Sequence, residues 1–595
     1  MSLTPSLFKV LTACNRSSRV CSQREICEAA QLSLGSVNTC LAQAKKKGYI
    51  ADGRITALGL EALKPYKVDN AIIMAAGLSS RFAPISYERP KGVLRVRKEV
   101  LIERQIKQLR AAGIGDITVV VGYKKEYFFY LASQFGVDIV VNPEYATRNN
   151  NSSIMCVRDR LKNTYICSSD NYFVINPFEP YVYESYYATQ HVQGKTDEWC
   201  VETGAKKRIT KVTIGGEDAD IMLGQVYFDA AFSRAFVAIL EREYNRPETA
   251  PKLWEDIYVD HIKELSLVAR SYSPDDIKEF DSLDDLRLFD PDFLENVDSE
   301  VFDNICTTLS CKKSDISGFY PLKQGLTNLS CHFTVGDKEY VYRHPGAGTD
   351  KLIDRSVEKK ALTMARELGL DSTFIYEDEK KGWKISRFIP NAQSLDVNDP
   401  AQLKKAMEMC RTLHESGAKL ARDFDFYHEG LRYEALLEPG SVSAIKGYED
   451  LKETVSELKR YADEDGFPCV ISHNDFFMLN FLIEKNGTIN LIDWEYAGMS
   501  DVANDFGTFC VCCSLDDARA NACIDYYFGR EATTRERRHF WAYVVFAGWC
   551  WYVWSLVKEQ EGENVNEWLY TYYRYASVYA RRVLDWYKDD SKVWF

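Results

Sequence analysis

Two separated stretches of the chain carry residue types at spacings suited to handling phosphate. In "ISHNDFFMLNFLIEKNGTINLIDWEYAG" (471–498), Asp475 is followed by Asn480 and then by Asp493. An Asp that can orient and deprotonate a hydroxyl, followed by an Asn and an Asp that can hold divalent cations, is the skeleton of a loop for phosphoryl transfer from ATP. The second stretch is "IIMAAGLSSRFAPISYERPKGVL" (72–94). An apolar run leads into Ala75, Ala76, Gly77, Ser79 and Ser80, small enough for backbone to approach phosphates. Arg81 and Lys91 can then neutralise a triphosphate. This is neither a Rossmann GxGxxG nor a Walker A loop.

Such loops need strands and helices to hold them. From about Val68, short β-rich runs ("AIIMAAG", "DITVVVG", "VDIVVN") alternate with helical patterns such as "VLIERQIKQLRAAG". That alternation predicts an α/β unit with a mostly parallel sheet. After an acidic stretch, "DPDFLENVDSEVFDN", a third unit starts strand-rich ("NLSCHFTV", "KEYVYRH") and ends helix-rich. In its first part, "QGLTNLSCHF" places Gly325, Thr327 and Asn328 in a turn that can cover phosphates. Arg343 and then Glu358 follow in the order of a kinase ion pair. A Glu on a charged helix is otherwise a solvated one.

Residues 1–67 differ in character, with ten Lys/Arg against four acids, a balance of +6, so the rest of the chain carries −13 − 6 = −19. "SQREICEAAQLSLGSVNTCLAQAKKKGYI" reads as helix, a turn around Leu34-Gly35, and helix. A hairpin tipped by Asp52-Gly53 and a final helix follow. This is a winged-helix pattern. Lys45, Lys46 and Lys47 suit phosphate contacts, or they simply complement a helix C-terminus in a docking or dimerisation module. DNA binding is the less favoured of these readings, and a homodimer is compatible with the second.

The total charge of −13 argues against wholesale nucleic-acid binding. Seventeen scattered cysteines read as free thiols in a reducing compartment, with no zinc-ribbon or thioredoxin pair expected. The first residues lack a basic region followed by an apolar core, so no signal peptide is expected and the location is cytoplasmic. Phe540–Val557 is eighteen residues without a charge, long enough to span a membrane. Its Trp and Tyr are spread throughout rather than gathered at the ends, which favours a buried helix and no membrane span.

The Gly77, Arg81, Pro90, Lys91 spacing resembles the sugar-nucleotidyltransferase motif L-A-A-G-x-G-x-R-x-x-P…P-K, with Ser79 in place of the second Gly. Through "VVVGYKKEYF", "YATRNNNSSI", "SSDNYFVINPF", "DEWCVETG", "LWEDIYVDHIKEL" and "KEFDSLDDL", the chain is similar to the bacterial CTP:phosphocholine cytidylyltransferases. The resemblance implies that Asp170 and Asp281 hold Mg²⁺ and that Asn149, Asn150 and Ser153 approach CTP. It also implies that Trp199, Trp254 and Glu279 enclose a quaternary ammonium, as an aromatic wall plus a carboxylate can. For Trp199 alone, core packing is the plainer reading.

The later loop departs from protein kinases. It has His473-Asn474-Asp475 and Asp493-Trp494-Glu495, and no A-P-E follows. It resembles the choline/ethanolamine kinase and aminoglycoside phosphotransferase superfamily, in which Asn480 and Asp493 hold Mg²⁺ and the nucleotide is ATP. "GWCWYVWSLVK" with Trp551 and Trp554, and "RYASVYA" with Tyr575, resemble the choline-enclosing region; ordinary core is the alternative. Asp501 and Asp505 are candidates to brace the loop.

The expected layout is a multidomain α/β and α+β chain. It comprises a winged helix-turn-helix (1–67), a Rossmann-like α/β nucleotidyltransferase (68–297) and a bilobal protein-kinase-like phosphotransferase (298–595). The resemblances imply a bifunctional enzyme that makes phosphocholine from choline and ATP, and CDP-choline from phosphocholine and CTP, for surface-glycan decoration. The alternatives are the same two reactions on ethanolamine or an aminoalkylphosphonate, or a choline-responsive transcription regulator.

Overall fold

The computed structural model describes residues 3–16, 20–322, 328–346, 354–561 and 565–593. The backbone gathers into two compact units: Met1–Cys306 with 312–314 and 319–321, and the remainder to Phe595.

The first unit begins with helices Pro5–Arg16, Gln23–Ala30 and Leu34–Lys46, the hairpin Ile50–Ala51 with Arg54–Ile55, and helix Ala57–Leu63. Ser22 and Glu25 form a reciprocal capping box at the second helix. The turn falls earlier than the sequence suggests: Gln31 takes a left-handed conformation (φ 50°) that ends the second helix, and Ser33 caps the third. Leu34 and Gly35 are therefore helical. Leu7, Val10, Leu11, Ile26, Val37 and Ala44 close a small core. That core continues onto the next part of the unit through Phe8, Tyr66 and Tyr183, whose rings lie 5.1–5.4 Å apart.

A seven-stranded sheet follows. Its order is Val268–Tyr272, Tyr186–Thr203, Ile209–Phe228, Thr164–Ser168, Asn70–Ala75, Ile117–Val121, Asp138–Val141. The sheet is mixed. Ile209–Phe228 is antiparallel to both its neighbours, and the other four pairings are parallel. A hairpin return between Tyr186–Thr203 and Ile209–Phe228 reverses the direction, a feature that helix–strand alternation does not disclose. The strand Asn70–Ala75 is buried on both faces, as its near-continuous apolar run requires. Its carboxyl end and that of Thr164–Ser168 open onto the same side, where α/β sheets place ligands.

A five-stranded sheet is ordered Ile316–Pro321, Asn328–Val335, Lys338–Pro345, Lys384–Arg387, Phe374–Glu377; its last four strands lie in the second unit, where helix Arg355–Glu367 packs beside them. A helical part follows, with short paired strands around 469–501. The eighteen-residue uncharged run lies within helix Thr534–Gln560, whose apolar window is 89% buried in the fold. This is a core helix covered on one side by helix Asn566–Lys588. Cys510 and Cys513 do stand at C-x-x-C spacing, contrary to the expectation of no such pair. Both are buried free thiols pushed up by burial, unsuited to redox work.

Candidate active sites

The loop after Asn70–Ala75 forms one wall of a cavity of about 600 Å³, lined by Ala76, Gly77, Ser79, Ser80, Asn149, Asn150 and Ser153 among others. Ala75 ends the strand just beneath it. Ser79 is left-handed (φ 52°), a conformation that favours glycine. That accounts for the glycine of the family motif at this point. Asn149 donates to the carbonyl of Pro251 (3.0 Å) and the Ser153 hydroxyl accepts from Asn142 (3.1 Å), so both are held in place.

Lys91 is buried, with Nζ 3.0 Å from Asp170 Oδ2 and 4.2 Å from the Phe82 ring centroid. Arg81 is exposed and pairs with Asp281 at 2.8 Å. Burial works against the Asp170 carboxylate, but Lys91 outweighs it and holds the group below its ordinary range. Asp170 Oδ1 is buried without any hydrogen-bond partner. An orphaned carboxylate oxygen beside further acids fits a hard divalent cation such as Mg²⁺.

A second cavity of about 210 Å³ adjoins the first, and Asn150, Met74 and Ser168 line both. Its walls include Trp199, Trp254 and Tyr187, together with Glu198, Glu255 and Glu279. Tyr187 stacks on Trp254 at 5.8 Å, and its hydroxyl donates to Glu255 (3.2 Å). Asn150 accepts from the Trp254 amide (2.7 Å) and donates to Glu255 (3.2 Å), fixing the start of helix Trp254–Asp260. Burial raises the Glu255 carboxyl to about 7. Glu279 lines the cavity and is otherwise solvent-exposed. Loss of water around its carboxylate on the cavity side, with Asp170 nearby, pushes it up to about 8. Three acids that resist ionising together, walled by aromatic faces, make a surface chemically suited to an organic cation.

Trp199, Trp254 and Glu279 thus come together as the sequence suggests. Tyr187, Glu198 and Glu255 escaped sequence reasoning. Glu198 and Glu255 are sequence neighbours of Trp199 and Trp254, which is the signal that could have found them.

In the second unit, Arg343 pairs with Glu358 (2.6 Å) and Glu377 (3.1 Å), and lies 3.7 Å from Asp493 and 3.9 Å from Glu495. Glu358 is fully buried rather than solvated. Burial alone would raise it, but Arg343, Lys384 and Arg355 hold it well below its ordinary range. Arg343 Nε and Nη1 are buried without a hydrogen-bond partner, Nη1 keeping only its longer ion pairs with Asp493 and Glu495. Asn328 donates to Glu495 (3.0 Å). Thr327 and Gly325 lie outside the described residues.

Asn480 donates to the Asp475 carboxylate (2.9 Å) and to its backbone carbonyl (2.8 Å). Burial and Asp493 raise Asp475 to about 8. Asp475, Asp493 and Glu495 outnumber the Arg343 guanidinium beside them, and this surplus of carboxylates fits Mg²⁺ here as well. Asn474 and Asp493 are both left-handed (φ 65° and 69°). Asp505 accepts the amides of His473 (2.9 Å) and Asn474 (2.7 Å), which makes it the brace of the loop. Asp501 instead accepts from His539 (2.9 Å).

Trp551 Nε1 donates to Thr508 (3.0 Å), and its ring meets Trp554 edge-on at 6.0 Å. Thr508 leads to Cys512 (3.6 Å) and Cys512 to the Tyr572 hydroxyl (3.9 Å). The Asp475 charge is felt at both Cys512 and Tyr572. Tyr575 is different: it is 1% exposed and donates its hydroxyl to the Leu515 carbonyl (2.6 Å). Tyr575 is thus packed into the core, and Tyr572, about one helical turn earlier, is the tyrosine that touches Cys512 and feels the Asp475 charge. A helical periodicity of 3.6 leaves residues three apart on similar faces, so spacing alone could not choose between them.

The family model described as MobA-like NTP transferase domain matches residues 71–177. The one described as Choline/ethanolamine kinase matches residues 319–544. The choline-phosphate cytidylyltransferase of Streptococcus pneumoniae is 34% identical over 217 residues, 36% of this chain and 95% of that protein. The 2-aminoethylphosphonate cytidylyltransferase of Lancefieldella rimae is 36% identical over 227 residues, 37% of this chain and 92% of that protein. Among solved structures, choline kinase LicA from Streptococcus pneumoniae is 24% identical, covers 48% of this chain and 99% of its own, and superposes with a TM-score of 0.41.

Proposed function

Because the chain belongs, through its central third, to the choline-phosphate cytidylyltransferase family and matches the choline/ethanolamine kinase model after it, we propose that it is a two-site enzyme. The later site transfers the γ-phosphoryl of ATP to the choline hydroxyl. The earlier site couples the resulting phosphocholine to CTP, giving CDP-choline and pyrophosphate. The observation that carries this reading is the cavity walled by Trp199, Trp254, Tyr187 and three glutamates next to Lys91 and Asp170. A trimethylammonium has no N–H to donate and is held by aromatic faces and diffuse negative charge.

At the cytidylyltransferase site no general base is required, because a phosphomonoester is largely dianionic at neutral pH. The cage fixes the cationic end, so the phosphate oxygen can be aligned in line with the α-phosphorus. Lys91 and Arg81 neutralise the charge that develops there. Asn149, Asn150 and Ser153 hold the nucleotide above the Ala75–Gly77 backbone. At the kinase site Asp475 orients the hydroxyl and takes its proton, while Arg343, set by Glu358, meets the phosphates. Asp170 and Asp281, and separately Asn480 and Asp493, are the residues that would hold Mg²⁺. The ion supplies charge neutralisation on the phosphates.

The relative that acts on 2-aminoethylphosphonate motivates a second reading. That molecule carries its phosphorus on carbon and has no hydroxyl for a kinase to phosphorylate. A kinase unit in the same chain therefore favours an amino alcohol, with ethanolamine as the rival to choline. ³¹P NMR of the protein with ATP, CTP, Mg²⁺ and equal choline and ethanolamine tests this. Accumulation of CDP-choline supports the reading, and exclusive CDP-ethanolamine overturns the choline assignment.

On this reading the domains are 1–67, 68–297 and 298–595, and the enzyme works in the cytoplasm. Residues 1–67 are a winged helix serving as a docking module, whose helix Pro5–Arg16 faces Tyr183 and Glu179. DNA binding and homodimer formation are its lesser alternatives.

A further inference from the structure

Within the first unit lies a further cavity, of about 650 Å³, that shares no lining residue with the two described above. Helix Pro5–Arg16 supplies one wall, with Phe8, Lys9, Thr12 and Arg16. The opposite wall is the margin of the seven-stranded sheet. There the edge strand Val268–Tyr272 presents Arg270 and Tyr272, and the strand beside it presents Tyr186. Tyr186 and Tyr187 are consecutive residues of one strand, so their side chains take opposite faces. Tyr187 walls the cage and Tyr186 walls this cavity. The edge strand then leads through Ile277–Lys278 to Glu279 and Asp281.

The lining is unbalanced in charge. Lys9, Arg16, Lys207 and Arg270 stand against two carboxylates, Glu179 and Glu184. Glu179 is gripped from both sides, by Arg16 and by Arg270 Nη2 at 2.9 Å. The Arg270 guanidinium also lies 4.9 Å and 5.7 Å from the ring centroids of Tyr186 and Tyr272. Lys9 and Lys207 are exposed and have no ion-pair partner among the described residues. The surplus is two positive charges, on a lining that also carries the rings of Phe8, Tyr181 and Tyr183. A phosphomonoester is close to a dianion at pH 7. A flat ring attached to it can stack on a tyrosine face or on an arginine plane. The volume lies within the range of sites for small organic ligands.

We propose that this cavity is an effector site for a phosphomonoester carried on a planar ring, of the nucleoside 5′-monophosphate class, held jointly by the first helix and the sheet edge. Binding there is independent of the function proposed above, whereas its effect on catalysis rests on that reading. Hydrogen–deuterium exchange of the full chain would be measured with AMP, CMP, GMP and UMP in turn, with phenyl phosphate and with inorganic phosphate. Phenyl phosphate and at least one nucleotide should protect peptides 5–16 and 268–272 saturably, and inorganic phosphate at the same concentration should not. The double variant Lys9→Glu with Lys207→Glu reverses two exposed charges outside both catalytic sites. It should weaken that protection roughly tenfold in apparent Kd and leave protection of residues 76–81 by CTP as in the wild type. The protecting nucleotide should also shift KM for phosphocholine or kcat of CDP-choline formation at least about twofold in the wild type, and not in the double variant.

No protection of the two peptides by any of the four nucleotides, equal protection by inorganic phosphate, or equal protection in the double variant overturns the site. Kinetics that are unmoved by the protecting nucleotide, or moved equally in wild type and double variant, overturn the effector role. Failure of the cytidylyltransferase reading would show separately, as a wild-type chain that makes no CDP-choline. The exchange data would still decide the site.

Discussion

Replacing Lys91 by Met removes the cation from a buried pair and leaves Asp170 facing an apolar thioether. At 3.0 Å, with an effective dielectric of about 20, the pair interaction is about 5.5 kcal/mol. The variant cannot lose more than it costs Asp170 to escape by taking a proton. From an ordinary value of 3.8, that cost is about 1.36 × (7.0 − 3.8), or roughly 4.4 kcal/mol at pH 7. At pH 5 it is only about 1.6 kcal/mol by the same relation. In the native protein Asp170 lies below its ordinary value, so its contribution is constant between these pH values. In Lys91→Met the folded carboxyl binds a proton that the unfolded chain does not, and stability falls as pH rises through this window. The penalty should therefore be about 4 kcal/mol at pH 7 and shrink to under 2 at pH 5. Urea unfolding read by hydrogen exchange in Thr164–Ser168 isolates the first unit from the second. The double variant Lys91→Met with Asp170→Asn should regain most of the loss while remaining inactive with CTP. A penalty identical at both pH values, or a double variant no more stable than the single one, would refute the buried-pair argument.

Three further outcomes follow from the same geometry. Trp199→Leu should raise KM for phosphocholine roughly 2- to 30-fold, for one lost aromatic face on a desolvated cation, with choline phosphorylation unchanged in the coupled NMR assay. Asp475→Asn should reduce phosphocholine formation at least about 100-fold and leave CDP-choline synthesis from supplied phosphocholine intact, with Asp170→Asn doing the reverse; loss of both reactions in either folded variant would contradict separate sites. Because burial pushes the Glu255 carboxyl up to about 7, and lost hydration with Asp170 nearby pushes Glu279 up to about 8, KM for phosphocholine should fall as pH rises from 6.5 to 8.5. The Glu279→Gln variant should show a flatter profile, and an unaltered one would remove Glu279 from the cage.

Much of this was legible in the chain because phosphate chemistry uses ordered, local motifs. Gly77, Arg81, Lys91, Asp475, Asn480 and Asp493 each sit in short stretches whose spacing is itself the signal. The cage was half legible: Trp199 and Trp254 announce themselves as rare residues, whereas Glu255 looks like any acid in a helix's first turn. The difference between Tyr572 and Tyr575 depends on which way one turn of helix faces, and that is decided by packing against Leu515 and Cys512. The mixed sheet was hidden because a long hairpin and a parallel crossover use similar apolar runs.

The helix Thr534–Gln560 raises a matter of timing. On the ribosome it emerges before Asn566–Lys588, the helix that covers it in the finished protein. At about 5–20 residues per second, the 28 residues from Gln560 to Lys588 take roughly 1.5–6 s to make. During that interval an eighteen-residue uncharged run, indistinguishable by length and polarity from a membrane-insertion signal, is without its cover. Slower translation past residue 560 would prolong that interval.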